Sequence, residues 1–589
     1  MSRTALPGAA SAGASPWRLV LATSLWMGLL GNLPLWQVLA ELDLLRGAAG
    51  WGLGGALAVM ITASLVALQS ALAWRWTLKP VAIFLLIATA AGAHFMMAYR
   101  IVIDSTMLVN VVQTNPREAG DLINLRMVAT IVLGGVLPAW WVWRTPVAWG
   151  RWPRRLGRNA LALLGAVVVL VAAVLVSFQP LSSTMRNHKQ VRYLINPLNS
   201  VYALGVIATT PLRRDERTLL PLGRDAKLGN APGTAPGTAP GTVPGTAEGA
   251  AVGAAVGAAP AVAAVAAPTP RPPLLLLVLG ETARAANFSL NGYARPTTPE
   301  LARLAATQAL INWRNAWSCG TNTAASVPCM FSHLGRSAYG SRRNNHENLL
   351  DVAQHAGLAV LWLDNQAGCK GVCERVPNAT TFGLKDAALC DSGECWDEIM
   401  LKGLDERIAA LPAEARARGV LLVMHQMGSH GPAYYKRVPP AFKRFMPECT
   451  TNVLQDCNRD QLVNAYDNTI AYTDHFLAAG VAWLQQRAAV NHTALVYVSD
   501  HGESLGENNL YLHGLPYAIA PDLQKRVPWV TWLSPGFVQH NKLDVACLKG
   551  RADTEVSHDH YFHSVLGLLG VQTEAYKPDW DAYGACRGR

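Results

Sequence analysis

Asp500 and His501 are the neighbouring residues best suited to carry chemistry in this sequence. They follow the apolar run from Ala494 to Val498, which is typical of a buried strand, and open α/β sheets hold their sites at the carboxyl ends of such strands. A carboxylate beside an imidazole offers the donors that zinc takes, and His513 follows in a Gly- and Asn-rich loop that could fold back over an ion. A strand end followed by a solvated acidic loop explains these residues equally well.

Two further apolar runs end in potential metal ligands. LLLLVLG is followed by Glu281, and VLLVM is followed by His425 and then His430. Single acidic or histidine residues at strand ends are often caps or hydrogen-bonded core groups. Convergence of three such ends on one sheet edge instead favours a metal site, because oxygen and nitrogen donors then meet in one place.

Thr323 is the candidate nucleophile. It lies in SCGTNTAASVPC, a Gly- and Thr-rich turn that a bridge between Cys319 and Cys329 would close, followed by small residues that could begin a helix. The amino terminus of a helix favours an anion, so a phosphate could be received there beside a metal-activated hydroxyl. The alternative, in which Thr321 and Thr323 are helix N-caps, fits the spacing equally well.

The elements that must position these residues indicate an α/β domain. From residue 273 onward, short apolar runs alternate with helical or looped stretches. The predicted strands are Leu274–Leu279, Leu358–Leu363, Val420–Met424, Ala494–Val498 and Trp529–Leu533. This alternation predicts a mostly parallel central sheet in a domain formed by residues 274–589.

A transmembrane domain is expected before it. The chain has 589 residues, of which 51% are hydrophobic, too long and too apolar for one ordinary soluble domain. Five apolar segments approach the ~20 residues that a spanning helix needs. They are Trp17–Ala40, Trp51–Trp74, Pro80–Tyr99, Met127–Val142 and Ala160–Phe178. Residues 1–178 are therefore predicted to form a five-helix membrane domain.

Basic residues in the short loops orient these spans. Arg75 and Lys79 lie between the second and third spans, and five arginines from Arg144 to Arg158 crowd the connection between the fourth and fifth. Short loops rich in Lys and Arg stay in the cytoplasm, so the chain after Phe178 is expected outside it. The net charge of +11 is not gathered into a Lys/Arg tract with exposed aromatics, which argues against nucleic acid as a partner.

The ten cysteines all follow the membrane segments. An even count without CxxC pairs favours disulfides in an oxidising compartment over zinc-thiolate sites, in agreement with the predicted orientation. The closely spaced pairs are Cys319/Cys329, Cys369/Cys373, Cys390/Cys395 and Cys449/Cys457.

Two segments connect the domains. Residues 179–229 mix basic and aromatic residues and are expected to form interfacial bridging helices. Residues 230–273 carry PGT-type repeats and an Ala/Val/Gly tract, typical of a flexible linker. A sixth span within that tract is rejected, because Gly and Pro recur every few residues and a sixth span would return the cysteines to the cytosol.

Five motifs together resemble one family. They are GETARAANFSLNGYARPTTP, SCGTNTAASVPCMFS, HQMGSHGPAYYKR, NAYDNTIAYTD and YVSDHGESLGENNLYLHG. In this order they are similar to the lipid A phosphoethanolamine transferases, including the mobile colistin-resistance enzymes, of the alkaline phosphatase superfamily. The resemblance covers the chain apart from residues 230–273, and it implies five spans and an alkaline phosphatase-like domain.

The resemblance also implies roles for individual residues. The catalytic zinc would be held by Glu281, Asp500, His501 and Thr323, with Thr323 as the nucleophile. One or two zinc ions are expected, and the residues that would bind a second zinc or the phosphoryl group are His430 and His513. The residues that would contact the substrate are Asn110, Glu118, Lys370 and Gln366, although relatives have asparagine where Gln366 stands.

Further assignments follow the resemblance. Cys369 and Cys373 flank Lys370 and could brace it as a disulfide. Cys547 and Cys586 are joined by elimination. His558, His560 and His563, in SHDHYFH, lie in a motif that the family uses to begin a helix, so a metal role is not expected for them.

The implied function is two-step transfer of phosphoethanolamine from phosphatidylethanolamine to a lipid A phosphate, at the periplasmic face of the bacterial inner membrane. The added amine would lower the negative surface charge and so weaken binding of cationic peptides such as polymyxin. A monomer among inner membrane lipids is expected. Alternatives are transfer to core heptose or Kdo, a phosphatase or sulfatase-type hydrolase, and a non-catalytic membrane protein that keeps the fold.

Overall fold

The computed structural model describes residues 13–114, 116–213, 215–229, 271–391 and 393–588. Its membrane-proximal helices are α1 (Pro16–Leu29), α2 (Leu33–Glu41), α3 (Gly47–Ala71), α4 (Leu78–Tyr99), α5 (Ser105–Gln113), α6 (Pro116–Leu122), α7 (Leu125–Ile131), α8 (Leu137–Arg144), α9 (Trp152–Val176), α10 (Phe178–Asn187) and α11 (Leu198–Arg213).

Five helical segments in the described part of the chain are long and apolar enough to cross a membrane, which confirms the predicted membrane domain. They are Pro16–Glu41, Gly47–Ala71, Leu78–Tyr99, Leu125–Arg144 and Trp152–Val176. The fifth begins at Trp152 rather than at Ala160. Arginine is a good helix former and Pro153 is tolerated in a first turn, so the basic segment continues the helix.

The first span is interrupted, whereas the sequence predicted one continuous helix. A 3-10 turn at Leu30–Asn32 separates α1 from α2. There the Asn32 side chain donates to the Asn196 carbonyl (2.5 Å) and accepts from the Asn196 amide (2.9 Å). The Asn196 side chain in turn donates to the carbonyls of Gly31 and Thr89. This network fastens the bridging segment to the first and third spans.

The periplasmic loop between the third and fourth spans folds into α5 and α6. Asp104 caps α5 by accepting from the amide of Met107 at 2.9 Å. Beyond α5, buried Asp121 forms ion pairs with Lys436 and Arg437, each at 2.5 Å. The loop is therefore bound to the periplasmic domain through charged side chains, of which Asp121 and Arg437 are buried and Lys436 is partly exposed.

The periplasmic domain alternates helices and strands. Its helices are α12 (Pro299–Thr307), α13 (Thr323–Met330), α14 (Arg336–Ser341), α15 (Leu349–His355), α16 (Leu404–Ala409), α17 (Ala413–Arg418), α18 (Arg459–Gln485), α19 (Pro535–His540), α20 (Val545–Gly550) and α21 (His558–Leu569). The strands are β1 (Asp215–Leu220), β2 (Lys227–Leu228), β3 (Pro273–Gly280), β4 (Ala309–Trp317), β5 (Asn344–His346), β6 (Ala359–Asp364), β7 (Asn378–Thr380), β8 (Cys390–Asp391), β9 (Glu394–Cys395), β10 (Val420–His425), β11 (His492–Ser499), β12 (Ser504–Leu505), β13 (Tyr511–Leu512), β14 (Arg526–Leu533), β15 (Val556–Ser557) and β16 (Val571–Gln572).

The central sheet has the strand order β15, β4, β14, β11, β3, β10, β6, β7. Strands β11, β3, β10, β6 and β7 run parallel, so their carboxyl ends lie at one edge. Along β3, alternate residues enter opposite core layers: Leu275 and Leu277 face the layer that contains α13, α15 and α21, and Leu276 faces the layer of α12 and α18. Helices cover both faces, as the continuous apolar runs predicted.

The sheet is mostly parallel, as predicted, but one of its strands, β14, runs antiparallel to the others. The predicted strand at Trp529–Leu533 is part of β14, which pairs antiparallel with β11 and with β4. Sequence analysis missed β4, because polar residues such as Asn312 and Arg314 interrupt its apolar run. Such alternation is typical of antiparallel strands near a sheet edge.

The exact first and last residues of the predicted domains stay predictions. The predicted linker of residues 230–273 lies outside the described residues, apart from residues 271–273. The predicted bridging segment contains helices α10 and α11, but its end joins the periplasmic domain: β1 pairs with β5, and β2 pairs with β16.

All ten cysteines are paired as disulfides. The pairs are Cys319–Cys329, Cys369–Cys373, Cys390–Cys395, Cys449–Cys457 and Cys547–Cys586. The last closes the longest loop, with a sequence separation of 39.

Removing Cys547–Cys586 by Cys-to-Ser changes at both positions should lower the free energy of unfolding by about 4 kcal/mol, because its loop of 39 residues restricts the unfolded chain most. The control is removal of Cys390–Cys395, with a separation of 5, which should cost about 2 kcal/mol. Urea unfolding of the full-length protein in detergent, followed by near-UV circular dichroism, measures both. A larger loss for the short loop would contradict the chain-entropy argument.

Candidate active site

Glu281, Asp500, His501 and Thr323 meet at the carboxyl edge of the sheet. Ligand atoms of Glu281, Asp500 and His501 all lie within 4.8 Å of one another. The Thr323 hydroxyl lies 3.1 Å from Glu281 Oε2 and 3.5 Å from His501 Nε2, and His501 Nε2 lies 3.3 Å from Asp500 Oδ2. All four residues are buried. Residues separated by more than two hundred positions thus form one polar cluster.

Strand pairing places the two main segments side by side. In the β3–β11 ladder, Gly280 pairs with Ser499, so Glu281 and Asp500 follow at the same level of the sheet. The amide of Asp500 donates to the Gly280 carbonyl at 2.9 Å, which continues the pairing. Gly280 is required here, because an added Cβ would lie 2.6 Å from the Tyr497 ring.

The side chains of Asp500 and His501 are aimed by local hydrogen bonds. Asp500 Oδ1 accepts from the amides of Thr282 (3.1 Å) and His501 (2.7 Å), whereas buried Oδ2 faces the cluster without a hydrogen-bond partner. Nδ1 of His501 lies 2.9 Å from the Gly502 carbonyl, to which it donates. This leaves Nε2 with a lone pair directed at the cluster.

Thr323 is the first residue of α13 and is free to face the cluster. The N-cap is Asn322, whose side chain accepts from the amide of Ala325 at 2.9 Å. Thr321 instead donates to the carbonyl of Leu515 at 2.6 Å. Neither threonine is therefore the N-cap that the sequence left as an alternative, and the Thr323 hydroxyl lies at the positive end of a helix.

The cluster has the electrostatics of a cation site. Burial, followed by the neighbouring Asp500, raises the pKa of Glu281. Burial raises the pKa of Asp500 to about 6 and lowers that of His501 to about 4. Two buried carboxylates side by side disfavour their own ionisation, and a divalent cation between them would reverse this. Two carboxylates, one imidazole and a hydroxyl, with Asp500 Oδ2 unpartnered, fit such an ion.

His430 and His513 lie beside the cluster. The rings of His501 and His513 are 4.2 Å apart at their centroids, and those of His513 and His430 are 6.1 Å apart. Burial lowers the pKa of His513 to about 4 and also lowers the pKa of His430, so both are neutral donors or acceptors near pH 7. The two histidines therefore place additional ring nitrogens on one side of the cluster.

The predicted substrate-contact residues come from two domains. Glu118 on α6 is buried, accepts from Gln366 Nε2 at 3.1 Å and lies 3.9 Å from His430 Nε2. Lys370 follows Gln366 in a loop tied by Cys369–Cys373 and donates to the carbonyl of Ala367. Asn110 lies on α5, which packs against α13.

The carboxylate of Glu118 is buried, although the residue belongs to a loop between two membrane spans. Burial raises the pKa of Glu118 to about 7, and nearby Lys370 acts in the opposite direction. A carboxylate held beside His430 in this way can receive a cationic group of a ligand.

Sequence analysis missed Glu503 and undervalued His425. Glu503 is fully buried, accepts from the Tyr434 hydroxyl at 3.0 Å and lies 3.4 Å from His513 Nδ1, and burial raises its pKa to about 8. Its position two residues after His501 was the available signal, but an acidic residue there also fits a solvated loop. His425 is bound to Asp364 (3.1 Å), and its Nε2 lies 4.0 Å from Glu281 Oε2.

His558 joins three elements around the cluster. Its Nδ1 accepts from the amide of Cys319 at 3.0 Å, and its Nε2 lies 3.0 Å from the carbonyl of Ser499. These contacts join α21, the turn before Thr323 and the end of β11. His558 thereby positions the elements that carry the cluster without facing it.

Comparisons with known proteins agree with this geometry. Residues 273–571 match the sulfatase family, and residues 61–211 match the family described as phosphoethanolamine transferase EptA/EptB. Phosphoethanolamine transferase EptA of Escherichia coli strain K12 is 39% identical over 527 residues, 87% of this chain and 86% of the relative. Phosphatidylethanolamine transferase Mcr-1 of Escherichia coli is 34% identical over 574 residues, 96% of both chains.

A solved structure extends the likeness to the whole chain. The integral membrane protein lipooligosaccharide phosphoethanolamine transferase A of Neisseria meningitidis has a TM-score of 0.86 at 34% identity, covering 97% of this chain and 99% of that chain. The five spans, the sulfatase-like sheet and the relatives agree. The chain therefore belongs to the EptA/EptB family of phosphoethanolamine transferases, as an inner membrane protein with its catalytic domain in the periplasm.

Proposed function

We propose that this protein uses Thr323 to transfer phosphoethanolamine from phosphatidylethanolamine to a phosphate of lipid A. The observation that carries the proposal is the Thr323 hydroxyl, which lies 3.1 Å from Glu281 and 3.5 Å from His501 at the amino terminus of α13. Relatives named as phosphoethanolamine transferases, one of them a Kdo(2)-lipid A phosphoethanolamine transferase, support the transferred group and the acceptor class.

Zinc is the proposed metal, and Glu281, Asp500, His501 and Thr323 would hold it. Oxygen and nitrogen donors in this number suit zinc, and one related periplasmic domain is described as a complex with zinc. When bound, zinc supplies Lewis acidity that lowers the pKa of the threonine hydroxyl.

In the first step, the oxygen of Thr323 attacks the phosphorus of the donor lipid. A bond from that oxygen to phosphorus forms, the bond from phosphorus to the diacylglycerol oxygen breaks, and diacylglycerol leaves with a proton. The positive end of α13 stabilises the charge that develops on the phosphoryl oxygens, and His430 and His513 donate hydrogen bonds to them.

In the second step, an oxygen of the acceptor phosphate attacks the phosphoethanolamine held on Thr323. The new bond joins two phosphorus atoms through oxygen, the bond to Thr323 breaks, and the threonine regains its proton. Both substrates are lipids, so the membrane spans confine enzyme and substrates to one layer and raise their effective concentration.

Glu118 is proposed to hold the cationic amine of the donor. Its carboxylate is buried 3.9 Å from His430 Nε2, and Gln366 orients it through a hydrogen bond of 3.1 Å. Lys370, in the same loop as Gln366, supplies a positive charge for the phosphate. Asn110 lies on the neighbouring helix α5 and is assigned to the same group of donor contacts.

A second candidate is hydrolysis, which the sulfatase match favours. Water would then take the place of the acceptor phosphate in the second step. Incubation with labelled phosphatidylethanolamine and lipid A separates the two: labelled lipid A supports transfer, whereas free phosphoethanolamine with unlabelled lipid A supports hydrolysis.

Thr323→Ala should abolish the covalent adduct and reduce transfer at least ~10³-fold, because the attacking oxygen is lost. Mass spectrometry of the tryptic peptide that contains residue 323, after incubation with the donor, detects the adduct. Thr321→Val is the matched control: it removes a hydroxyl from the same turn but none from the cluster, so the adduct should persist. An adduct on the Thr323→Ala variant would refute the assignment.

Asp500→Asn should weaken zinc binding by more than ~100-fold, because it removes an anionic donor from the cluster. Elemental analysis after dialysis gives the zinc content. Chelation should also lower the midpoint of thermal unfolding of the unchanged protein, since a ligand that binds only the folded state stabilises it. Glu507→Gln, which alters a carboxylate in the same loop that pairs with Arg284, is the control and should keep its zinc. Full zinc content in Asp500→Asn would contradict the site.

Glu118→Gln should raise KM for phosphatidylethanolamine roughly tenfold or more, because a charged hydrogen bond to the amine is lost. With phosphatidylethanol, which lacks the amine, the same substitution should change KM little. Steady-state kinetics with both donors measure the difference. An equal effect on both donors would indicate that Glu118 shapes the cavity without contacting the amine.

A further inference from the structure

A large cavity lies in the membrane domain, on the side opposite the catalytic domain. It has a volume of about 910 Å³ and is bounded by α1, α3 and α9. One end of it, which we call the mouth, is lined by residues at the amino-terminal ends of α1 and α9 and at the carboxyl end of α3; this is the cytoplasmic end of all three helices. The cavity is within the size range of specific ligand sites, ~300–1,000 Å³.

The walls of the cavity are apolar over most of their length. Leu21, Leu25 and Leu29 line it along α1, and Ala162 and Gly165 line it along α9. Small residues on α9 keep the groove open, since a Cβ added at Gly165 would meet no atom within 4 Å. These walls match hydrocarbon chains.

The mouth is strongly cationic. Four arginines of the cytoplasmic end line it: Arg151, Arg154, Arg155 and Arg158. The sequence contains no Asp or Glu in residues 1–40, 44–103 or 122–213, so no carboxylate of this membrane face is available to pair with them. Four guanidiniums grouped at one end of an apolar cavity attract anions from outside the protein.

Two polar atoms of the lining lack partners. Arg155 Nε is buried without a hydrogen-bond partner, and so is the hydroxyl of Ser70, a residue only 2% exposed near the end of α3. Both residues line the cavity. A ligand with anionic oxygens at this level would satisfy both atoms.

The mouth is held in shape before any ligand binds. The amide of Ala14 donates to the carbonyl of Pro146 (2.8 Å), and the amide of Ala148 donates to the carbonyl of Ala14 (3.0 Å), so the segment before α1 is paired with the loop before α9. The side chain of Asn159 donates to the carbonyl of Ala73 at 2.9 Å and ties α9 to the end of α3.

From this geometry we infer that the cavity is a binding site for an anionic diacyl phospholipid of the cytoplasmic leaflet. Its phosphate lies among the four arginines and its acyl chains fill the groove between α1 and α9. Guanidinium groups bind phosphate oxygens in pairs, and basic pockets between spans on the cytoplasmic side suit anionic headgroups. Because α9 packs mainly against α3, the lipid also joins α9 to α1. This site lies across the membrane from the transfer site and is separate from it.

The test is retention of lipid by the full-length protein. The protein is equilibrated in nanodiscs of phosphatidylethanolamine and phosphatidylglycerol in a three-to-one ratio and released into detergent. Native mass spectrometry then counts the lipids that stay bound. We expect one phosphatidylglycerol to be retained in preference to the more abundant phosphatidylethanolamine. Equal retention in proportion to the mixture would overturn the proposal.

Two variants probe the headgroup and the chains separately. Arg155→Gln with Arg158→Gln should weaken retention roughly 25-fold, about fivefold for each lost guanidinium. Its control, Arg75→Gln with Arg144→Gln, removes the same cytoplasmic charge outside the cavity and should retain the lipid.

Gly165→Leu should also expel the lipid, because the new side chain occupies the groove while every arginine remains. The matched control is Gly157→Leu on the same helix, where an added Cβ likewise meets no atom within 4 Å but the residue does not line the cavity. Loss in both cavity variants with retention in both controls supports the site. Retention at the level of the unchanged protein in either cavity variant overturns it.

Discussion

The burial of two carboxylates beside each other is the constraint on which the catalytic domain depends. Glu281 and Asp500 are both removed from water, and such groups are costly to bury unless a positive charge accompanies them. Hydrogen bonds to Asp500 and the parallel pairing of β3 with β11 nevertheless hold them together. The rigid sheet therefore keeps in place an arrangement that local forces alone would not maintain. A divalent cation bound at the cluster would offset the repulsion between the two carboxylates.

The same cluster explains why the turn before α13 is so strongly restrained. The Cys319–Cys329 disulfide closes it, His558 accepts from its backbone, and the hydroxyl of Ser326 contacts the carbonyl of Asp500. A nucleophile must be held within a fraction of an ångström of its productive position, because small misplacements cost large factors in rate. These restraints act on residues before and after Thr323 in the chain, so Thr323 has little freedom to move away from the cluster.

A loop of the membrane domain contacts residues next to the catalytic cluster. Glu118 reaches Gln366 and His430 from the periplasmic loop, and Asp121 on the same loop is paired with Lys436 and Arg437. The bridging segment, residues 179–229, is fixed to the spans by Asn196. The catalytic domain is thus attached to the membrane domain close to the site itself, which brings the site to the layer where lipid substrates lie.

The sequence by itself determined the five spans, their orientation, the α/β class and the main polar residues. These features rest on local patterns: runs of apolar residues, loop charges, and polar residues directly after buried strands such as β3 and β11. Only the tertiary structure decided that Glu281 and Asp500 stand at the same level, that Asn322 rather than a threonine caps α13, and that Glu503 is buried. It also revealed β4, the break at Leu30–Asn32 and the contact of Glu118 with the periplasmic domain. Each of these depends on contacts between segments far apart in the chain, which no local pattern of residues encodes.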